Sequence, residues 1–131
     1  MRLLFTVAAL SITLCMSAHA EDKSSLVKKG AKPLSGPERA QLLPGKTMKG
    51  TSYDASGKKV ATWSVTYAKD GKKITKLGGK TIERKWWVEG NKFCEQLTGS
   101  GKATCEGGIY KLASKCYTFH SNGAIQNEMS C

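Results

Sequence analysis

Histidine, acidic residues and long apolar runs are the scarce elements of this chain. Two histidines occur among 131 residues, His19 and His120, and ten Asp and Glu face 21 Lys and Arg. So few imidazoles leave no pair for two-histidine hydrolytic chemistry once the N-terminus is set aside, and no His-Glu-x-x-His helix exists to hold a zinc ion. No Gly-x-Ser-x-Gly elbow occurs. Two apparent phosphate loops fail on spacing. Gly79-Lys80-Thr81 requires a glycine where Ile74 stands, and Gly45-Lys46-Thr47 requires one where Ala40 stands. These absences argue against the familiar enzyme classes, and the expectation is a non-enzymatic protein without metal or cofactor.

The one sustained apolar run lies at the start. Arg2 is followed by Leu3–Met16, interrupted only by Thr6, Ser11 and Thr13, and Ala18-His19-Ala20 has the small-x-small form of a cleavage site. The run is shorter than the ~20 residues of a spanning helix, and no later segment is apolar enough to stop transfer. Leu14 before Cys15 argues against lipidation. The expectation is a signal peptide over 1–20, cleaved after Ala20, and a periplasmic or secreted product that does not span the membrane. Processing would leave Cys94, Cys105, Cys116 and Cys131, an even set that favours two disulfides in an oxidising compartment. Their spacing is too wide for a short zinc-binding turn.

Residues 21–34 are polar, Lys-rich and without periodicity, and read as a flexible tether. Ser35-Gly36-Pro37-Glu38 forms a capping box for a helix ending at Leu43, before Pro44-Gly45. Its expected apolar face is Ala40, Leu42 and Leu43. From Lys46 onward, turn signals recur every eight to twelve residues, and strands are expected over 46–53, 59–68, 72–77, 81–89, 92–97, 102–112, 115–120 and 124–130. Ala61, Trp63, Val65 and Tyr67 alternate with Thr62, Ser64 and Thr66, as in a strand with one buried face. The fold class is therefore all-β. The expected form is a small antiparallel up-and-down, lipocalin-like barrel, or a sandwich of about eight short strands, with one short N-terminal helix. One domain, 35–131, would contain it.

If Thr98–Gly101 form a four-residue hairpin loop, Cys94 opposes Cys105 and the two can be bridged. Cys116–Cys131 then follows by elimination. A Cys105–Cys116 pairing stays open at this level.

Leu43-Pro44-Gly45-Lys46-Thr47 with Gly50-Thr51, then Asp70-Gly71, then Trp86-Trp87-Val88-Glu89-Gly90-Asn91-Lys92-Phe93-Cys94 and Cys105 resemble small bacterial periplasmic lipocalin-like proteins of the domain-of-unknown-function 995 type. The resemblance covers about residues 42–105. It implies a small antiparallel barrel and a periplasmic home, and transfers no catalytic residue. The Lys-rich strands and the Cys116/Cys131 pair depart from that pattern.

Charge is unevenly spread. Residues 46–85 hold eleven Lys/Arg and three Asp/Glu, a net of +8, whereas residues 86–131 balance four against four. Such a field concentrates anionic partners, although lysines on a sheet also guard against edge-to-edge pairing. The candidate contact residues are Trp87 with Lys85 and Arg84, then Lys72, Lys73 and Lys76 on the basic face. Trp63 and Tyr67 belong either to the core or to a cavity wall. Trp86 shares the core face with Ile82 and Val88, which leaves Trp87 beside Lys85 and Glu89. His120 would need Glu106, Glu128 or Asp70 brought to it for acid–base work, and reads as a structural histidine. Export argues against nucleic acid as a partner. The expected function is binding of an envelope anion, a lipid or amphipathic ligand, or an acidic protein, through the basic face or a barrel mouth, by a monomer or weak homo-oligomer. The alternative is an inhibitor or immunity-type protein that blocks a hydrolase.

Overall fold

Turn chemistry and alternation together make most of this chain a sheet. The structure, a computed structural model, describes residues 21–131 apart from the Glu106 side chain, so the expected signal peptide lies outside the described residues. Helices α1 (Lys23–Lys28) and α2 (Gly36–Leu42) flank the two-residue strand β1 (Lys32–Pro33). Nine strands follow: β2 (Thr47–Tyr53), β3 (Lys59–Tyr67), β4 (Lys72–Leu77), β5 (Lys80–Glu89), β6 (Lys92–Leu97), β7 (Ala103–Glu106), β8 (Tyr110–Leu112), β9 (Lys115–Phe119) and β10 (Ile125–Ser130).

All strands join one antiparallel sheet in the order β1-β8-β9-β10-β2-β3-β4-β5-β6-β7, curled into a half-barrel. Strands β2 to β7 form a meander. The chain then doubles back through β8 and β9, so that β10 pairs with β2, with Met129 opposite Gly50. The all-β, up-and-down expectation holds. The sheet has ten strands rather than about eight, a second short helix precedes it, and two segments differ most from expectation. The expected strand 102–112 is two strands, because Gly107 and Gly108, the latter at φ +88°, let the chain leave the β7 edge. Residues 21–34 are also not a loose tether. Asp22 caps α1, accepting the Ser25 N–H at 2.8 Å, and Leu26 and Ala31 are buried with Tyr117 beside Tyr110, Leu112 and Phe119. A few scattered apolar side chains in a polar segment leave no periodic trace, yet with the β1–β8 pairing they dock it.

Both disulfides join the expected partners, Cys94–Cys105 and Cys116–Cys131. The first links directly opposed residues of β6 and β7. The second ties the C-terminal residue to the start of β9, with Cys116 buried beside Met129.

Helix α2 packs against β5 and β6. Its Ser35 cap accepts the Glu38 N–H, and the Glu38 carboxylate accepts the Ser35 N–H in return. The buried side is Gly36, Arg39 and Leu43, whereas Ala40 is exposed and Leu42 only partly covered. The expected face was thus rotated. Gly36 decides this: a Cβ there would lie 1.6 Å from the Gly90 carbonyl oxygen, so only glycine admits the approach. Its N–H donates to Asn91 Oδ1 at 2.8 Å. Positions three and seven further on must then face the sheet.

Candidate functional site

The inward side chains of β3, β4, β5, β6, β7, β9 and β10 line a cavity of about 320 Å³ that is open on one side. Its apolar lining is Trp63, Val65, Leu77, Phe93, Ile109 and Met129. Tyr67 lines it as well, edge-on to Trp86 at 5.4 Å and to Phe93 at 5.7 Å between ring centroids. Edge-to-face packing of this kind suits the ring quadrupoles. Burial, and secondarily the nearby Glu95 charge, pushes the Tyr67 phenol above its ordinary range. It is therefore a neutral O–H at any physiological pH.

One wall is charged. Lys73 on β4 and Arg84 on β5 are directly opposed in the sheet, and both are paired with Glu95 on β6. The Arg84 Nε to Glu95 Oε1 distance is 3.5 Å. The Lys73 ammonium also lies 5.2 Å from the centre of the Phe93 ring and 5.8 Å from that of Tyr67, within cation–π range. Its side chain is only 15% exposed. Among the described residues a single carboxylate thus serves two cations, which leaves one positive charge over in a partly desolvated wall, where charge acts more strongly than in open water.

The opposite wall is neutral and carries a chain of side-chain hydrogen bonds. Trp63 Nε1 donates to Ser52 Oγ at 2.7 Å, and Ser52 Oγ donates to Asn127 Oδ1 at 2.7 Å. Asn127 Nδ2 donates in turn to Thr118 Oγ1 at 2.8 Å. This chain crosses β3, β2, β10 and β9 and orients the indole. Gly50 makes room for it, since a Cβ at that position would meet the Trp63 ring at 2.5 Å. Such a network is stable because every member has a partner.

The sequence-derived candidates therefore separate. Trp63, Tyr67, Lys73 and Arg84 converge on the cavity. Lys72, Lys76 and Lys85 are exposed on the other side of β4 and β5, and Trp87 is half-buried there, opposed to Cys94. Lys76 joins Lys49, Lys115, Thr51, Thr62 and Ser64 in a shallow outer groove. Trp86 packs on the core with Phe93, its ring stacked at 6.2 Å. Alternation alone distinguishes Lys73 from Lys72 and Lys76. Glu95, Ser52 and Asn127 were not singled out by sequence reasoning. Glu95 had a usable signal, as the acid facing inward on a strand next to the basic ones, whereas Ser52 and Asn127 meet across 75 residues of chain.

His120 Nε2 lies 2.8 Å from the Tyr53 carbonyl oxygen. Of the acids considered as partners for it, Glu128 is bound to Lys115 and Asp70 accepts the Lys72 N–H. Glu89 lies near Cys94 and Cys105, but those sulfurs are joined to each other, and a disulfide offers no thiolate to a metal. No helix among the described residues is long and apolar enough to cross a membrane. Compared with known proteins, the chain matches no family model, no curated protein and no solved structure.

Proposed function

We propose that this is an exported, non-catalytic binding protein of the bacterial periplasm that takes a small amphipathic anion into the half-barrel cavity. The observation that carries the reading is the pairing of an apolar cavity with a wall in which, among the described residues, Lys73 and Arg84 share one carboxylate, Glu95. An apolar pocket with a few convergent polar groups is the usual form of a small-molecule site. A carboxylate or similar head group at that wall would neutralise the residual charge, and its tail would lie against Val65, Phe93 and Met129. The two disulfides fit an oxidising compartment. The periplasmic assignment rests on the N-terminal leader and on the domain-of-unknown-function 995 resemblance.

The volume limits the ligand. About 320 Å³ is the share of roughly ten water molecules, so a molecule of about ten non-hydrogen atoms fits. Octanoate is a suitable probe, with octylamine as the charge-reversed control. Tryptophan fluorescence titration and native mass spectrometry should find octanoate bound with Kd on the order of 0.1 mM, at about 0.5 kcal/mol per atom, and octylamine unbound. Glu95→Gln should strengthen octanoate binding several-fold and Lys73→Met weaken it. Equal indifference to both probes in both assays would overturn the reading.

A further inference from the structure

The two edges of the sheet are unlike. At one, β1 is two residues long, contains Pro33 and runs at once into α2, a form that blunts an edge. At the other, β7 pairs with β6 on one side only. Ala103, Thr104 and Cys105 are all exposed, and the strand has neither proline nor lysine within it. The disulfide shows which backbone groups are free. Cys94 and Cys105 are directly opposed with Cα atoms 4.0 Å apart, the close spacing of a pair that does not exchange hydrogen bonds. Alternation then makes Glu95 and Thr104 a bonded pair, and turns the N–H and C=O of Ala103 and Cys105 away from the sheet. Among the described residues, no backbone hydrogen bond outside the ladder reaches either of them. The same disulfide holds β7 to β6, so the edge is presented as a fixed strand.

We infer that the β7 edge takes up an extended acidic peptide as an eleventh strand, paired through Ala103 and Cys105 and lying along the open side of the half-barrel. Strand addition draws affinity from main-chain hydrogen bonds and specificity from alternate side chains. On the inner face those side chains would pass Thr104, which lines the cavity that holds Lys73 and Arg84. Lys102, exposed just before the strand, has the parity of Thr104 and adds a cation on that same side. Residues 21–131 carry +10, since the first twenty residues hold one Arg and no acid. The excess lies on residues 46–85 and residues 86–131 balance, so it is the long-range field of the whole domain, with Lys102, Lys73 and Arg84 nearest the edge, that draws an acidic segment in. The inference stands apart from any small ligand in the cavity, and failure of octanoate to bind would leave it intact.

The test uses a fluorescein-labelled heptapeptide in which Glu alternates with Val or Thr, and its counterpart with Lys for Glu. Anisotropy should show the Glu peptide binding at least ten-fold more tightly than the Lys peptide. Amide exchange of the protein should be fast at Ala103 and Cys105 and slow at Thr104, and the peptide should slow the first two. Ala103→Pro removes only an outward N–H, so it should leave thermal stability unchanged and weaken the peptide at least five-fold. Should that variant fold poorly, N-methylation of alternate peptide amides serves instead: one register should abolish binding and the other spare it. Protected Ala103 and Cys105 amides in the free monomer would overturn the inference. So would protection that tracks protein concentration and a doubled mass, or peptide binding indifferent to Ala103→Pro and to methylation.

Discussion

Replacing Gly36 by alanine sets local and tertiary physics against each other. At a helix position alanine is intrinsically better than glycine by up to ~1 kcal/mol, so local reasoning expects Gly36→Ala to stabilise α2. The structure dictates the reverse. The new Cβ would stand 1.6 Å from the Gly90 carbonyl oxygen and 2.7 Å from its carbon. These are backbone atoms, which cannot swing aside, and α2 must lift by roughly 1.8 Å to restore ordinary contact. Lifting loses the 2.8 Å hydrogen bond from the Gly36 N–H to Asn91, about 1 kcal/mol. It also uncovers part of Leu43, whose full burial is worth ~1.5–3 kcal/mol. The net expectation is a loss of about 2 kcal/mol, equivalent to a Tm lower by about 10 °C in a domain of this size. Urea denaturation and calorimetry of oxidised protein measure it. Ala40→Gly, at an exposed position of the same helix, should cost only its propensity, ~1 kcal/mol. A Gly36→Ala variant as stable as the parent, or more so, would refute the claim that close approach at Gly90 seats the helix.

Gly50→Ala should push the Trp63 indole into the cavity and break its bond to Ser52; a shifted tryptophan emission maximum with weakened octanoate binding would show it. Converting both Cys116 and Cys131 to alanine should cost about 3 kcal/mol in the chain-entropy model for a separation of 15 residues, read as a lower urea midpoint. A loss under 1 kcal/mol would mean that the C-terminus is held by packing alone. The Asp54 carboxyl is held below the ordinary range, first by the Ser56 hydroxyl and then by the Lys58 N–H. A depressed folded value stabilises above the unfolded value of about 4 and is lost as pH falls through the folded one. Asp54→Asn should therefore be less stable than the parent at pH 7, with the gap closing on acidification below about pH 4 in pH-jump unfolding.

Much of the fold was legible because short antiparallel strands record themselves locally. Glycine- and Asn/Asp-rich turns mark their ends, and the Trp63–Tyr67 alternation marks a buried face, so β4 and β6 fall where they were expected. The same register argument brought Cys94 opposite Cys105. Segment 21–34 was not legible, because it docks through scattered apolar residues, Leu26, Ala31 and Leu34, and through pairing of β1 with the distant β8. Nor was the buried side of α2. A helical pattern ranks Ala40 above Arg39, yet the Arg39 side chain is 2% exposed, and two of its nitrogens have no hydrogen-bond partner among the described residues.

The sequence by itself determined the all-β class, the basic bias of residues 46–85 and the even set of cysteines that two disulfides require, because each follows from composition and neighbour-to-neighbour alternation. Tertiary structure alone decided that Lys73, turned inward by alternation along β4, meets Glu95 and Arg84 there. It alone set Ser52 between Trp63 and Asn127, and left β7 as an open edge. Those outcomes depend on how far the sheet curls and where it stops. Curl and closure are summed over ten strands and written in no single one of them.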